Sequence, residues 1–453
     1  MAESLHVRKS VISGSCWAIL SQVVFVATGF ASVPLALGYL GEERMGLWRL
    51  TTSLLLVVTL LNAGLIPHVK TRMAESFGQK DKARFVAYSS TSLLIGLSIV
   101  LVGFLVALLV PLVDWVRLMK VMNRTAQIEV LPLVVVIVVC TFAQVGSSFI
   151  PAIFDARMQV SQPRIYELAG RLAGFLLLVV GIHLQLSLPW LAALMLAPTI
   201  LLRVLLLVKL FRIDRAMVLP HWQATMRILP ELVRPAILAV AIHCGTLLLG
   251  TVPNLMVVRM FSLSDVTLFS LCYQVATVPL NGIAAVVPVF WPAFTLAWTA
   301  GACEKVGRWL LLICCGTAGV LVLYAISFSV LGPWLFRWWT KGVISPARPL
   351  LLALGLFVVA QGLHHWVSTF LWSVKDLWVL VVTQAASAAL LVVLGFLLGG
   401  LLGLSGIVIA MTAAVTIGGL VPLSWRAWKL VAVQAAPRRR QLNPLVLTPS
   451  SDP

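Results

Sequence analysis

The chain alternates long apolar runs with short polar segments. Windows free of charge and at least about 18 residues long, the length needed to cross hydrocarbon, fall near residues 12 to 35, 50 to 68, 88 to 112, 130 to 152, 168 to 186 and 188 to 208. A second set of six lies near 235 to 257, 266 to 291, 308 to 331, 349 to 373, 377 to 398 and 400 to 424. The pattern predicts an all-α integral membrane protein of about twelve transmembrane helices. Residues 1–215 form one six-helix bundle, 216–430 a second, and 431–453 a disordered cytoplasmic tail. The stretch following Arg8 and Lys9 carries no charge until Glu42, too long for a signal-peptide core, and reads as a retained first helix.

Composition agrees with this pattern. Sixty per cent of residues are apolar and 11% charged, with a mean hydropathy of +1.03, whereas soluble domains carry about 25% charged residues. The formal charge of +18 comes as clusters between apolar runs, without the continuous stripe of a nucleic-acid surface. With the N-terminus in the cytoplasm, 23 basic residues fall inside and nine outside. The nine are Arg44, Arg49, Arg117, Lys120, Arg124, Arg259, Arg337, Lys341 and Arg348, and the bias puts both termini in the cytoplasm. Arg203, within a span but six residues from Lys209, is expected to snorkel inward. Tryptophans such as Trp48, Trp190, Trp334 and Trp425 read as interfacial anchors. The seven cysteines lack metal-ligand spacing and are expected to be unpaired, and no cofactor is called for.

The chain also repeats itself. Ala74, Gly78, Asp81 and Lys82 follow the second span, and Ala297, Gly301, Glu304 and Lys305 follow the eighth at a constant offset of 223. Two six-helix units of like orientation would be related by a pseudo-two-fold axis along the membrane normal.

The segment Leu40-Gly41-Glu42-Glu43-Arg44-Met45-Gly46-Leu47-Trp48, then Leu61-Asn62-Ala63-Gly64-Leu65 and the Ala74/Gly78/Asp81 turn, resembles the polysaccharide flippases of the multidrug/oligosaccharidyl-lipid/polysaccharide exporter superfamily. The resemblance implies two bundles forming a V around a cavity that opens alternately to each side. It further implies a polyprenyl-pyrophosphate-linked oligosaccharide as cargo, moved across the bacterial cytoplasmic (inner) membrane for surface polysaccharide or lipopolysaccharide synthesis. Membrane lipids, and a glycan polymerase or glycosyltransferases of the same pathway, would be partners. Asn62 and Asn254 stand as amides where relatives often have carboxylates, which bears against ion coupling through these positions.

A pyrophosphate cargo calls for arginine, which stays charged and offers a fork of donors. Arg49 and Arg259 are candidates at the outer mouth, Arg171 and Arg234 at the inner one, each set against a topological or snorkelling role. His243, deep in the seventh span, is a candidate by depth, with an interhelical hydrogen bond as the alternative. Gln22, Asn62, Asn254, Gln274 and Asn281 are amides suited to sugar hydroxyls or to helix–helix hydrogen bonds. The turn between the last two helices is expected at Gly399-Gly400, and Asn123-Arg124-Thr125 reads as a glycosylation sequon.

Two other functions compete. A membrane glycosyltransferase or ligase would need a carboxylate base or metal-binding acids and a sizeable outer loop, and Glu42 and Glu43 are the only adjacent acids. A multidrug exporter of the same superfamily would favour carboxylates in its cavity for cationic drugs, in a chain with 15 acidic residues set mostly in loops and at span ends. The reading taken is a flippase, not an enzyme.

Overall fold

The computed structural model describes residues 2–157, 159–219 and 222–441, and among these the secondary structure is helical throughout. Fifteen helices follow in order: α1 (Ala2–Leu55), α2 (Leu60–Gly78), α3 (Lys82–Leu109), α4 (Trp115–Leu118), α5 (Arg124–Ser147), α6 (Phe149–Ala156), α7 (Ser161–His183) and α8 (Leu188–Ile213). Then come α9 (Trp222–Met260), α10 (Leu263–Ala276), α11 (Val278–Thr299), α12 (Cys303–Trp339), α13 (Arg348–Ser373), α14 (Leu377–Ala413) and α15 (Val421–Gln441). Lipid dictates this: with no water to satisfy peptide groups, a spanning segment must close its hydrogen bonds within itself.

Nine segments are long and apolar enough to cross a membrane, and the bent pair Leu263–Ala276 and Val278–Ala284 makes a tenth. Two of the nine, Val26–Gly78 and Leu377–Ala432, each hold two runs, broken at Gly41 (φ 74°) and Gly403 (φ 65°). Counted this way, the described residues make twelve helical runs, and the chain is a multi-pass membrane protein. Both breaks need a positive φ that only glycine adopts without cost. The last turn therefore lies at Gly403, not at Gly399-Gly400. The second run starts directly after Gly41, so Glu42, Glu43 and Arg44, expected in a loop, are helical.

Caps explain several boundaries. The Asp81 carboxylate accepts the Arg84 N–H (3.0 Å) and starts α3. Asn123 accepts the N–H groups of Thr125 (2.9 Å) and Ala126 (3.3 Å) and starts α5, which gives the Asn-Arg-Thr sequence a structural reason. The turns carrying the repeated motif, Gly78 to Asp81 and Gly301 with φ 71°, both lead into a new helix. α15 continues to Gln441, past the expected start of the tail at 431, because Leu430 to Ala436 is a glycine-free, mostly apolar run; residues 442–453 lie outside the described residues.

The chain divides into two compact units, Met1–Thr267 with Trp339–Lys341, and Leu268–Trp338 with Gly342–Pro453. Packing puts α9 with the first unit, although the sequence places the join at 215/216. The cause is local: Gly64 on α2 faces Ala236 and Val240 of α9 with no room for a Cβ. Compactness in one arrangement and duplication in sequence are separate properties, and the division does not test the repeat.

In the first unit, α3 and α5 meet at Gly96 and Gly146, each pressed against the other's carbonyl. This is the close approach that small residues allow where no hydrophobic force holds helices together. Arg44 is not a loop charge: its guanidinium forks onto Glu129 of α5 at 2.8 and 2.6 Å. Glu129 also accepts the Leu188 N–H (3.1 Å), so it ties α1, α5 and the start of α8. Trp48 is buried in this core and is no interfacial anchor, while Trp190, Trp334, Trp338 and Trp425 are exposed as anchors should be. In the second unit, a π-helical segment, Ala414–Leu420, brings Gly418 and Gly419 against Ser387 and His364.

Candidate functional site

The candidate site is a polar stripe in the first unit, built by α9 lying antiparallel to the run that begins after Gly41 and continues through α2. Three contacts fix the register. Arg72 pairs with Glu231 (3.1 Å), Gly64 meets Ala236 and Val240, and the Thr251 hydroxyl donates to the Ser53 carbonyl (3.2 Å). Partners along the two helices step in opposite directions by nearly equal amounts. That register sets Arg49 level with Asn254, and Asn62 level with His243. At 1.5 Å per residue the two levels are about 16 to 20 Å apart.

At the first level, Leu47, Trp48, Leu50 and Thr51 are buried, and Arg49 is half-buried among them. Among the described residues Arg49 has no ion pair or hydrogen bond, unlike the other arginines in this core. Asn254 is buried, and its Oδ1 has no donor. An uncompensated guanidinium level with an unsatisfied amide, within a dominantly apolar wall, is suited to hold an anionic or strongly polar group.

At the second level, the Asn62 Oδ1 accepts from the Ser148 hydroxyl (2.7 Å) at the junction of α5 and α6. His243 is half-buried on α9. At the Gly78 end the stripe is closed: the Tyr88 hydroxyl donates to Glu231 (2.9 Å), which also takes Arg72, and the Thr91 and Thr225 hydroxyls meet at 3.2 Å. Ser53, Ser148 and Thr251 were not candidates from sequence. A serine or threonine inside a helix mostly bonds its own backbone, as Thr52 does to Trp48, and nothing in its immediate neighbours marks a cross-helix role.

The other expected site residues are dispersed. Arg259 is exposed at the end of α9, where its carbonyl accepts from Lys120 Nζ (2.5 Å). Gln274, on α10 in the second unit, has a buried Oε1 without a donor, and Asn281 on α11 is exposed. The side chains of Gln22 and Arg234 lie outside the described residues. Arg171 faces away from the stripe, donating to the Ser21 carbonyl (3.2 Å) and to Glu167 (3.3 Å). Arg203 does not snorkel: it turns inward, donating to the Gln144 carbonyl (2.8 Å) and pairing with Glu167 (3.7 Å).

Among the described residues, the carboxylates of α5 to α9 in this unit are all engaged. Glu129 holds Arg44, Asp155 holds Lys70 and Arg164, Glu167 holds Arg164, Arg171 and Arg203, and Glu231 holds Arg72. Among the described residues there is no group of three metal-ligating side chains.

No protein-family model matches this chain, and no curated protein matches it either. Solved structures do. An inward-facing conformation of a multidrug resistance MATE family transporter of the MOP superfamily is similar at a TM-score of 0.74 and 14% identity, over 91% of this chain and 95% of that one. An outward-facing conformation described in the same terms gives 0.62 at 13% identity, over 95% and 97%. A Vibrio cholerae MATE transporter, a point mutant, gives 0.61 at 15% identity, over 97% and 99%. At such low identity the likeness speaks to architecture, and over nearly its whole length this all-helical chain has the fold of the MATE transporters.

Proposed function

We propose that this chain is a membrane exporter working by alternating access. The observation that carries the reading is the MATE fold over 91% of the chain, in a set of solved structures that includes inward- and outward-facing states. The cargo reading best supported by those neighbours is the multidrug one, the export of amphipathic small molecules of several kinds. The duplicated halves, 1–215 and 216–430, belong to the same proposal, as do a place in the bacterial cytoplasmic membrane and cytoplasmic termini.

A specific feature favours a second reading, the flipping of a polyprenyl-pyrophosphate-linked oligosaccharide. Among the described residues Arg49 has no counter-ion, while the carboxylates of α5 to α9 in the first unit are already engaged. A wall of this charge is suited to a phosphorylated cargo and ill suited to a cation. In this reading Arg49 and Arg259 take the pyrophosphate, and Asn62, His243, Asn254, Gln274 and Asn281 offer hydrogen bonds to sugar hydroxyls. Arg171 is left out, because Glu167 already holds it.

Two assays separate the readings. The chain is expressed in a strain lacking its own dye exporters, and in one lacking its lipid-linked oligosaccharide translocase. Efflux of a lipophilic cationic dye without glycan rescue supports the multidrug cargo. Rescue of surface glycan, weakened more by Arg49→Ala or Arg259→Ala than by Arg438→Ala, supports the lipid-linked cargo. Failure of both, with the protein present and folded in the membrane, removes the exporter reading.

A further inference from the structure

A second polar region, separate from the α9 stripe, lies wholly inside the first unit. It is a partly open pocket of about 220 Å³ lined by α1, α5, α7 and α8, with Thr28, Gln144, Glu167, Arg171, Thr199 and Arg203 on its wall. This volume is below the roughly 300 to 1,000 Å³ of sites for drug-sized molecules. A small ligand fits it and the proposed cargoes do not.

Its electrostatics are out of balance. Glu167 receives three guanidinium groups: Arg164 at 3.1 Å on Oε2, with Arg171 at 3.3 Å and Arg203 at 3.7 Å both on Oε1. Arg164 also reaches Asp155 (3.5 Å), which pairs with Lys70 (2.7 Å). Four cations thus share two carboxylates in this cluster, with Asp155 at 6% and Arg203 at 15% side-chain exposure the most withdrawn from solvent and Lys70 at 38% the least. Nearby like charges are costly where water does not screen them. Arg171 and Arg203 meet at one carboxylate oxygen, and Arg203, the more distant at 3.7 Å and with a buried Nε that has no acceptor, is the member that most needs a second anion.

The donors are also incompletely used. The Nε groups of Arg203 and Arg164 are buried and have no acceptor. Arg203 spends the rest of its fork on the Gln144 carbonyl (2.8 Å), the Ser147 hydroxyl (3.4 Å) and its long contact with Glu167. The unsatisfied Oδ1 of Asp155 is an acceptor, so it bears against an anion at the Lys70 side of the cluster. Asp155 is not on the cavity wall, whereas Arg171 and Arg203 are.

We propose that this cavity binds a small inorganic anion of chloride size between Arg171 and Arg203. The bound anion gives Arg203 a closer anionic partner than Glu167 at 3.7 Å and joins α7 to α8. The site needs no assumption about the cargo, since its two arginines lie on α7 and α8, which do not form the α9 stripe.

The test uses the full chain, purified in detergent, with sodium chloride exchanged for sodium gluconate at constant ionic strength. The unfolding midpoint rises with chloride and saturates, as expected of a ligand that binds the folded state alone. Equilibrium dialysis with radiolabelled chloride gives one site per chain. Arg203→Gln and Arg171→Gln each weaken that binding by about tenfold or more, the scale of one charge-assisted hydrogen bond. Glu167→Gln, which removes the competing carboxylate, tightens it. Equal midpoints in the two salts overturn the proposal. So does chloride binding that survives both arginine changes, or that weakens in Glu167→Gln. Should Arg203→Gln not fold, Arg171→Gln and Glu167→Gln decide alone, since their predicted shifts have opposite signs.

Discussion

Removing Glu129 should be among the most destabilising single changes in the first unit. Its side chain retains 8% of its exposure and that of Arg44 14%, and the two form a forked pair at 2.6 and 2.8 Å. Two hydrogen bonds between ions are worth about 1.5–3 kcal/mol each. Breaking a buried pair by deleting one partner costs about 3–5 kcal/mol, because the remaining charge stays buried. The same deletion strands the Leu188 N–H, which Glu129 accepts at 3.1 Å. Glu129→Ala is therefore expected to lose about 4 kcal/mol, at the centre of that range. The paired change Arg44→Met with Glu129→Leu replaces both ions by apolar groups of similar bulk, and is expected within about 2 kcal/mol of the parent. Unfolding by a denaturing detergent in mixed micelles gives both values, and the cycle of single and double variants gives the coupling. The reasoning fails if Glu129→Ala loses less than about 1 kcal/mol, the scale of an exposed pair. It fails equally if the double variant is as unstable as the two single ones added together.

Other consequences are smaller or more local. Gly96→Ala puts a methyl onto the Gly146 carbonyl and should cost about 1–3 kcal/mol, whereas Gly316→Ala on α12 meets nothing within 4 Å and should be neutral or slightly stabilising; thermal unfolding compares them. Glu231→Gln breaks a half-exposed pair with Arg72 and weakens the Tyr88 bond, and should cost about 1 kcal/mol, with the loss shrinking in high salt. The Asp214 carboxyl lies below the usual range, chiefly through the hydrogen bond from Lys82 and further through the Ala216 N–H. A depressed value in the folded state means its contribution is complete above the unfolded value of about 3.9 and disappears as pH falls through the lower folded value. Asp214→Asn should therefore differ from the parent at pH 7 and converge with it at low pH, a trend that pH-resolved unfolding detects.

Much of the fold was legible because lipid imposes a simple grammar. Apolar length gave the spans, and the short polar side chains of Asp81 and Asn123 marked helix starts through bonds to their own backbone. What escaped depends on pairs far apart in sequence. Arg44 was read as a loop charge because Glu42, Glu43 and Arg44 interrupt an apolar run, yet its partner Glu129 lies 85 positions away and makes a helical arginine tolerable. Arg203, only six residues from Lys209, is expected from sequence to snorkel to the cytoplasmic side, while Glu167 and the Gln144 carbonyl draw it into the bundle. The candidate site was legible in part. Arg49, Asn62, His243 and Asn254 come to one stripe, but their pairing by level required the contacts of α9 with Ser53, Gly64 and Arg72.

Five arginines of the first unit, Arg44, Arg49, Arg164, Arg171 and Arg203, fall into three electrostatic conditions, and each implies a different role. Arg44 meets one carboxylate of its own, a closed pair that holds α1 to α5. Arg164, Arg171 and Arg203 crowd onto Glu167, leaving positive charge for an anion to neutralise. Arg49 has no carboxylate among the described residues. In a chain with 33 basic and 15 acidic residues, most cations must go unpaired, and at a surface that is no burden. Inside the first unit it is, so an unpaired cation persists there only if something else supplies the negative charge for part of the time. Arg49 lies on the α9 stripe level with an unsatisfied amide, where a passing ligand can do so, whereas the Glu167 cluster lines a small pocket suited to a resident ion. The two sites should therefore respond differently: chloride should stabilise the protein through Arg171 and Arg203 and leave the effect of Arg49→Ala on transport unchanged.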